Sequence, residues 1–321
     1  MVRSSIYLAL GLAALFPSLT FADNPPWKAM FQAPPRAAES PENPLNPAKL
    51  ALGKSLYNDK RLSLDNDISC NSCHRLDNFG VDNEPTSPGH KGQRGDRNSP
   101  SSFNAALHIA QFWDGRAENV EKQALGPILN PKEMAMPSEA EVVKRLKADP
   151  KTVAAFKAAF PGESDPLTYQ NIGKAIGAFE RTLITPSRFD RYLQGDESVL
   201  TPEEKKGAQL FVDSGCAACH NGVGIGGGMY QKLGLVKPYP TKDMGRYVAT
   251  KNESDKMVFK VPSLRNVDKT GPYFHDGSVK TLPEAVSKMA EFQLGKQLTP
   301  EQVNEIVVFL KTLTAEKPPR L

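Results

Sequence analysis

Two pentapeptides dominate the chain: Cys70-Asn-Ser-Cys73-His74 and Cys216-Ala-Ala-Cys219-His220. Together they use all four cysteines. Thiols one helical turn apart can reach the two vinyl groups of a porphyrin and form thioethers, and the adjacent imidazole then meets the iron. A zinc ribbon would need its second cysteine pair about 15–20 residues after the first, whereas most of a domain separates Cys73 from Cys216. A redox C-x-x-C pair does not require a following histidine, let alone twice. The pattern therefore predicts two covalent haem c groups, each lacking a second axial ligand. What fills that sixth position decides the function.

Length bears on domain count. The 321 residues suit two domains, one per motif. A net charge of +4, with no basic run, gives no reason to expect nucleic acid or an acidic polymer as partner. Residues 1–22 read as a signal peptide: Arg3, an apolar stretch from Ile6 to Phe16, and a small-residue cleavage site at Thr20-Phe21-Ala22. That stretch is too short to span a bilayer, and no later run approaches the ~20 apolar residues required. Covalent haem in an exported chain predicts a soluble protein of the periplasm.

The fold class expected is mainly α: two cytochrome c-like domains with long irregular loops. Residues 23–46 form a Pro-rich arm, read as extended, with Trp27 as its packing anchor. The N-terminal haem domain covers residues 47–190 and the C-terminal one residues 191–321, with a joint near 184–200. A helix is predicted over Ala48–Asn58, another from Ser138 to about Asp149, and more helix from Tyr169 to Leu183. Thr201, Thr281 and Thr299 read as N-caps. Gly53, Leu56 and Tyr57 before the first motif match Gly207, Leu210 and Phe211 before the second. This internal repeat is read as a helix packed against a haem edge, with Gly allowing close approach. Phe79–Pro100 is rich in Gly and Pro, and this long loop holding His90 is a candidate moving part. The glycines from Gly222 to Gly228 read as a haem-edge loop. Residues 229–265 look irregular, with a short hairpin.

Sixth ligands must come from a small set. Of five histidines, His90, His108 and His275 are not in the motifs. Met229, Met244, Met257 and Met289 follow the second motif. By spacing, His90 is the best partner for the first haem, while a Met at helical spacing serves equally as core filler.

The chain resembles the bacterial di-haem cytochrome c peroxidases over nearly all of its mature length. The resemblance is carried by both haem motifs, Ser87-Pro-Gly-His90, Arg97-Asn98-Ser-Pro100, Ala110-Gln-Phe-Trp113-Asp-Gly-Arg116, Gly126-Pro-Ile-Leu-Asn-Pro-Lys-Glu133-Met134 and Thr270-Gly-Pro-Tyr-Phe-His275-Asp-Gly277. It implies that His74 and His90 hold the low-potential N-terminal haem in the resting oxidised form. His220 and Met289 would hold the high-potential C-terminal haem. Trp113 corresponds to the residue between the haems, and Glu133 and Gln123 to the polar pair above the peroxide site. Asn98, Thr270 and Pro272 correspond to the ligands of one interdomain calcium ion. His108 is assigned to structure, and His275 is not assigned as a ligand.

The implied reaction is reduction of hydrogen peroxide to water, with electrons from a monohaem cytochrome c or a blue copper protein, in a homodimer. A Met/His iron sits at higher potential than a His/His iron, so the C-terminal haem would be reduced first and His90 released next. Two other readings stand beside this one: a di-haem electron carrier without peroxidase activity, and a related di-haem oxidase acting on a protein substrate. Relatives of the oxidase type carry Tyr where this chain has Met289.

Overall fold

The computed structural model describes residues 25–316. The segment expected to be a signal peptide lies outside them. Eleven helices are found among the described residues, and the class is mainly α. In the N-terminal half these are α1 (Pro47–Tyr57), α2 (Cys70–Cys73), α3 (Val120–Leu129), α4 (Glu139–Lys147), α5 (Pro150–Ala159) and α6 (Tyr169–Glu180). Then come α7 (Arg188–Leu193), α8 (Pro202–Asp213), α9 (Tyr247–Thr250), α10 (Leu282–Leu294) and α11 (Pro300–Lys311). Two strands, β1 (Tyr230–Lys232) and β2 (Val258–Lys260), pair antiparallel with Tyr230 opposite Lys260. They close a long excursion rather than a tight hairpin.

Local chemistry sets the helix ends. Ser138, Thr201, Thr281 and Thr299 each accept a bond from the backbone N–H three residues on. Thr201 with Glu204, and Thr299 with Gln302, form reciprocal capping boxes, each with Pro in the first turn. Asn46 caps α1 in the same way.

Two cores follow the two haem motifs. The first gathers Leu52, Leu56 and Tyr57 of α1, Ile128 of α3 and Ile172, Ile176 and Phe179 of α6. The second gathers Phe211 of α8 with Ile306, Phe309 and Leu310 of α11. The internal repeat acquires a different meaning here. A methyl on Gly53 would fall 1.9 Å from the Ala175 carbonyl oxygen of α6, and one on Gly207 would fall 2.1 Å from that of Glu305 on α11. Each glycine lets two helices touch backbone to backbone. The aromatic next in the repeat serves the motif differently in each half. Tyr57 donates to the His74 carbonyl at 2.7 Å, whereas Phe211 lines the cavity beside Cys216.

The Pro-rich arm is more structured than an extended strand. Pro26–Met30 forms a 3₁₀ turn. Trp27 is buried, stacked at 6.4 Å on Phe189, and its Nε1 donates to Gln209. Further along, Ala38 N–H donates to the Arg181 carbonyl, and buried Asn43 donates to Glu121. The arm thus runs from the second core to the first. Phe189 and Tyr192 of α7, within the stretch read as a joint, also pack into the second core.

Candidate active site

Each haem motif makes a tight turn. In α2, Ser69 and Ser72 form a capping box around Cys70, and the His74 N–H donates to the Cys70 carbonyl at 2.9 Å. In the second motif Gly215 takes φ 94, a 3₁₀ turn covers Cys216–Ala218, and His220 N–H donates to Cys216 at 3.0 Å. The four thiols are unpaired, and burial pushes all four above their usual range. Both imidazoles are held neutral by burial, His220 down to about 4. Their Nδ1 atoms are buried without a well-aligned partner, although backbone groups of Pro100 and Gly80 (His74) and of Pro262 and Ile225 (His220) favour protonation. Among the described residues no group of three or more His, Cys, Asp or Glu could hold a bare metal ion. Two thiols beside a buried imidazole suit thioether attachment and iron ligation.

The motifs open onto two cavities. The first, about 830 Å³, is lined by Cys70, Cys73 and His74 together with Gln123 of α3, Glu133 and Arg116. The second, about 260 Å³, is lined by Cys216, Cys219, His220, Phe211 and Met289 of α10. Gly226, at φ 108, passes so close to the second motif that a methyl there would lie 3.1 Å from His220 Nδ1. Trp113, Asn98 and His275 line both cavities. Trp113 is pinned in this shared wall: its Nε1 donates to the Asn98 carbonyl at 2.9 Å, and its own carbonyl accepts from Lys260 N–H at 2.8 Å.

Residues 47–198 match the family model of di-haem cytochrome c peroxidase, and residues 204–314 match that of cytochrome c. The chain is 46% identical to the cytochrome c551 peroxidase of Nitrosomonas europaea, over 97% of this chain and 91% of the relative. It is also 46% identical to that of Pseudomonas aeruginosa, over 90% and 86%. The chain belongs to the di-haem cytochrome c peroxidase family. A crystal structure of a MauG-like protein associated with microbial copper homeostasis superposes with a TM-score of 0.78 at 31% identity, covering 88% of this chain and 94% of that one. Two cytochrome c-like domains and two haem c groups follow from this membership, and the protein is an oxidoreductase of the peroxidase class.

In this peroxidase, Glu133 sits in a turn organised by Asn130. The Asn130 side chain accepts from Lys132 N–H at 3.0 Å and donates to Glu133 Oε1 at 2.8 Å. Burial raises the Glu133 carboxyl, and the nearby Arg116 guanidinium opposes the rise. Arg116 is itself held by Asp114, which also takes Arg97 at 2.7 Å. Arg97 grips Asp243 with two further bonds, at 2.7 and 2.8 Å. Asp114 is thus a structural anchor for both arginines.

His90 stands elsewhere. It is buried, but Gly89 and Ser87 line the first cavity while His90 does not. Its Nδ1 lies 3.5 Å from Asp65, and its backbone N–H donates to the Glu133 carbonyl at 2.7 Å. A methyl on Gly89 would strike the Lys132 carbonyl at 2.0 Å. The loop carrying His90 is therefore seated directly on the turn carrying Glu133.

The residues assigned to calcium all line the second cavity, and Asn98 lines the first as well. Asn98 donates through Nδ2 to the Glu84 and Pro85 carbonyls, at 3.0 and 3.3 Å. Its Oδ1 and the carbonyls of Thr270 and Pro272 accept no hydrogen bond among the described residues. Asn83 holds the same loop through the Lys269 and Gly271 carbonyls. His275, left unassigned from sequence, is buried, with Nε2 3.0 Å from Thr241 Oγ1.

Several groups escaped the sequence reading. Asp65 carried no motif, nor did Asp243. Glu180 of α6 is a buried carboxyl on the wall of the first cavity, pushed up to about 8 by burial. Lys260 and His108 form a buried pair on the wall of the second. Asp65, Asp243 and Lys260 each meet a partner distant in the chain, which one-dimensional spacing does not reveal.

Proposed function

We propose that this protein reduces hydrogen peroxide to water at its N-terminal domain, taking electrons at its C-terminal domain from a monohaem cytochrome c or a blue copper protein. One observation carries the reading: Gln123 and Glu133 face the same cavity as Cys70 and His74, while His90 lies outside its wall. When bound, the two haems supply a site for peroxide at one iron and a store for an electron at the other. Overall, hydrogen peroxide, two protons and two electrons yield two waters. Glu133 takes the proton from one peroxide oxygen and returns it to the other, so that water is the leaving group. A carboxyl raised by burial is matched to that task. Gln123 orients the peroxide through its amide. Trp113, in the wall common to both cavities, provides the path between the domains.

The sixth ligands complete the proposal. Met289, which shares the second cavity with His220, would hold the C-terminal haem together with it. His90 would hold the N-terminal haem with His74 in the resting form and would take its seat beside Asp65 once the C-terminal domain is reduced. Calcium, a hard cation suited to oxygen donors, would take Asn98 Oδ1 and the Thr270 and Pro272 carbonyls. Because Asn98 also holds Trp113 and His275, the ion would stiffen the shared wall. The domains divide at about residue 190. No described helix is long and apolar enough to cross a membrane, and the N-terminal 22 residues supply the export signal for the periplasm. A homodimer is expected on the family resemblance.

The test is steady-state peroxide consumption by the half-reduced protein with a reduced small cytochrome c as donor. Turnover supports the enzyme, and its absence supports a two-centre electron carrier. Gly89→Ala probes the gate in the same assay. The added methyl cannot share space with the Lys132 carbonyl, so it favours the arrangement with the loop lifted away. Turnover should fall at least about tenfold, the equivalent of about 1.4 kcal/mol against the open arrangement. Unchanged turnover would mean that the seat of Gly89 on the Glu133 turn plays no part.

A further inference from the structure

We infer that Lys260 and His108 form the anchor for a propionate of the C-terminal haem, and that this anchor helps to set the potential of that haem. The inference rests on haem occupancy of the second cavity, not on peroxide chemistry, so a failed peroxidase assay would leave it standing.

Lys260 ends β2 and is only 5% exposed. Its Nζ lies 3.2 Å from His108 Nδ1 and forms no ion pair among the described residues. A lysine that donates to Nδ1 places the ring proton on Nε2. That Nε2 is buried and has no partner. The pair therefore presents two donors, one of them cationic, with no acceptor to receive them. Burying an ammonium without a counter-charge is costly, and both residues line the second cavity.

Arg265 is the other cation on that wall, and it is already satisfied. It makes two bonds to Asp190, at 2.8 and 2.9 Å, and one to the Val223 carbonyl. The anionic groups that a haem c brings into a cavity are its propionates, so the unsatisfied donors and the missing acceptor match in sign. The site is also built tightly. A methyl on Gly227 would fall 2.3 Å from His108 Cδ2, so the glycine there makes room for the imidazole. The Lys260 N–H donates to the Trp113 carbonyl. This ties the anchor to the residue common to both cavities.

A cation beside the propionate disfavours the oxidised, more positive haem and so raises its potential. At an effective protein dielectric constant of about 20, a charge about 10 Å from the iron alters the reduced-to-oxidised ratio about tenfold. The experiment is a spectroelectrochemical titration of the full-length holoprotein. Lys260→Met should lower the reduced-to-oxidised ratio of the C-terminal haem about tenfold at fixed potential, or 59 mV for one electron. Lys260→Arg should stay within about threefold, because the charge is kept. Both should retain the thioether–iron charge-transfer band, since neither touches an iron ligand. A Lys260→Met protein within about twofold of the parent overturns the inference. So does His108→Gln if it removes the thioether band or changes the axial ligation, because His108 would then be serving the iron. Should Lys260→Met fail to take up haem, a crystal structure of the wild-type holoprotein decides. A propionate oxygen within about 3.2 Å of Lys260 Nζ is expected, and a propionate beyond hydrogen-bond reach refutes the anchor.

Discussion

Glu133→Gln is expected to lower peroxide turnover about 10²–10⁴-fold while both haem spectra and both potentials stay as in the parent. The amide keeps the size of the side chain and can still meet the Asn130 contact, so the turn should hold. It cannot carry a proton from one peroxide oxygen to the other. Peroxide should still bind, so the loss belongs to kcat more than to KM. The pH profile of the parent should have a matching acid limb. Burial raises the Glu133 pKa, and the carboxylate form must accept the first proton. Turnover therefore falls as pH drops through that raised value, from a higher pH than an exposed glutamate would give. Stopped-flow kinetics with peroxide, across pH, separates these effects. A Gln variant with parental turnover would remove Glu133 from the chemistry.

The second large effect is expected at Met289. On the proposed ligation, replacing it by His would give the C-terminal haem the same type of ligand pair as the resting N-terminal haem, and a thioether favours the reduced iron more than an imidazole does. The reduced-to-oxidised ratio at fixed potential should fall on the order of 10²–10³-fold, at 59 mV per tenfold. The store for the first electron is then lost. Peroxide turnover with a mild donor should collapse, and a strong reductant should restore part of it. The two variants thus part company: Glu133→Gln leaves the potentials alone and cannot be rescued by reductant, whereas Met289→His does the reverse. A Met289→His protein with parental potential would mean that another side chain holds that iron.

Much of this architecture is legible in one dimension because its causes are local. The haem motifs can be read because thioether chemistry fixes the spacing of Cys70, Cys73 and His74, and of their counterparts. Thr201, Ser138, Thr281 and Thr299 can be read because a cap is settled within four residues. The Gly53 and Gly207 repeat shows the limit. Its spacing announces a close approach, but only the fold reveals that Ala175 and Glu305 are what approach. The arm shows the same limit. Its prolines suggest extension, yet Pro26 at the start of a 3₁₀ turn brings Trp27 into the second core. The pairs His90–Asp65, Arg97–Asp243 and Lys260–His108 are set by tertiary packing. The placement of His90 on the Glu133 turn is likewise invisible in the motif Ser87-Pro-Gly-His90. Yet that contact bears most on the proposed function, because it makes the proposed gate and the proposed proton carrier neighbours along one hydrogen bond.

On the proposed mechanism one iron keeps its six ligands throughout while the other loses His90 after its neighbour is reduced. Electron paramagnetic resonance of the fully oxidised and half-reduced holoprotein tests it most directly. Two low-spin ferric signals are expected when fully oxidised. After one electron, loss of the signal assigned to the C-terminal haem and conversion of the other to a five-coordinate, high-spin form are expected. An N-terminal signal that stays low-spin and unchanged through half-reduction would contradict it.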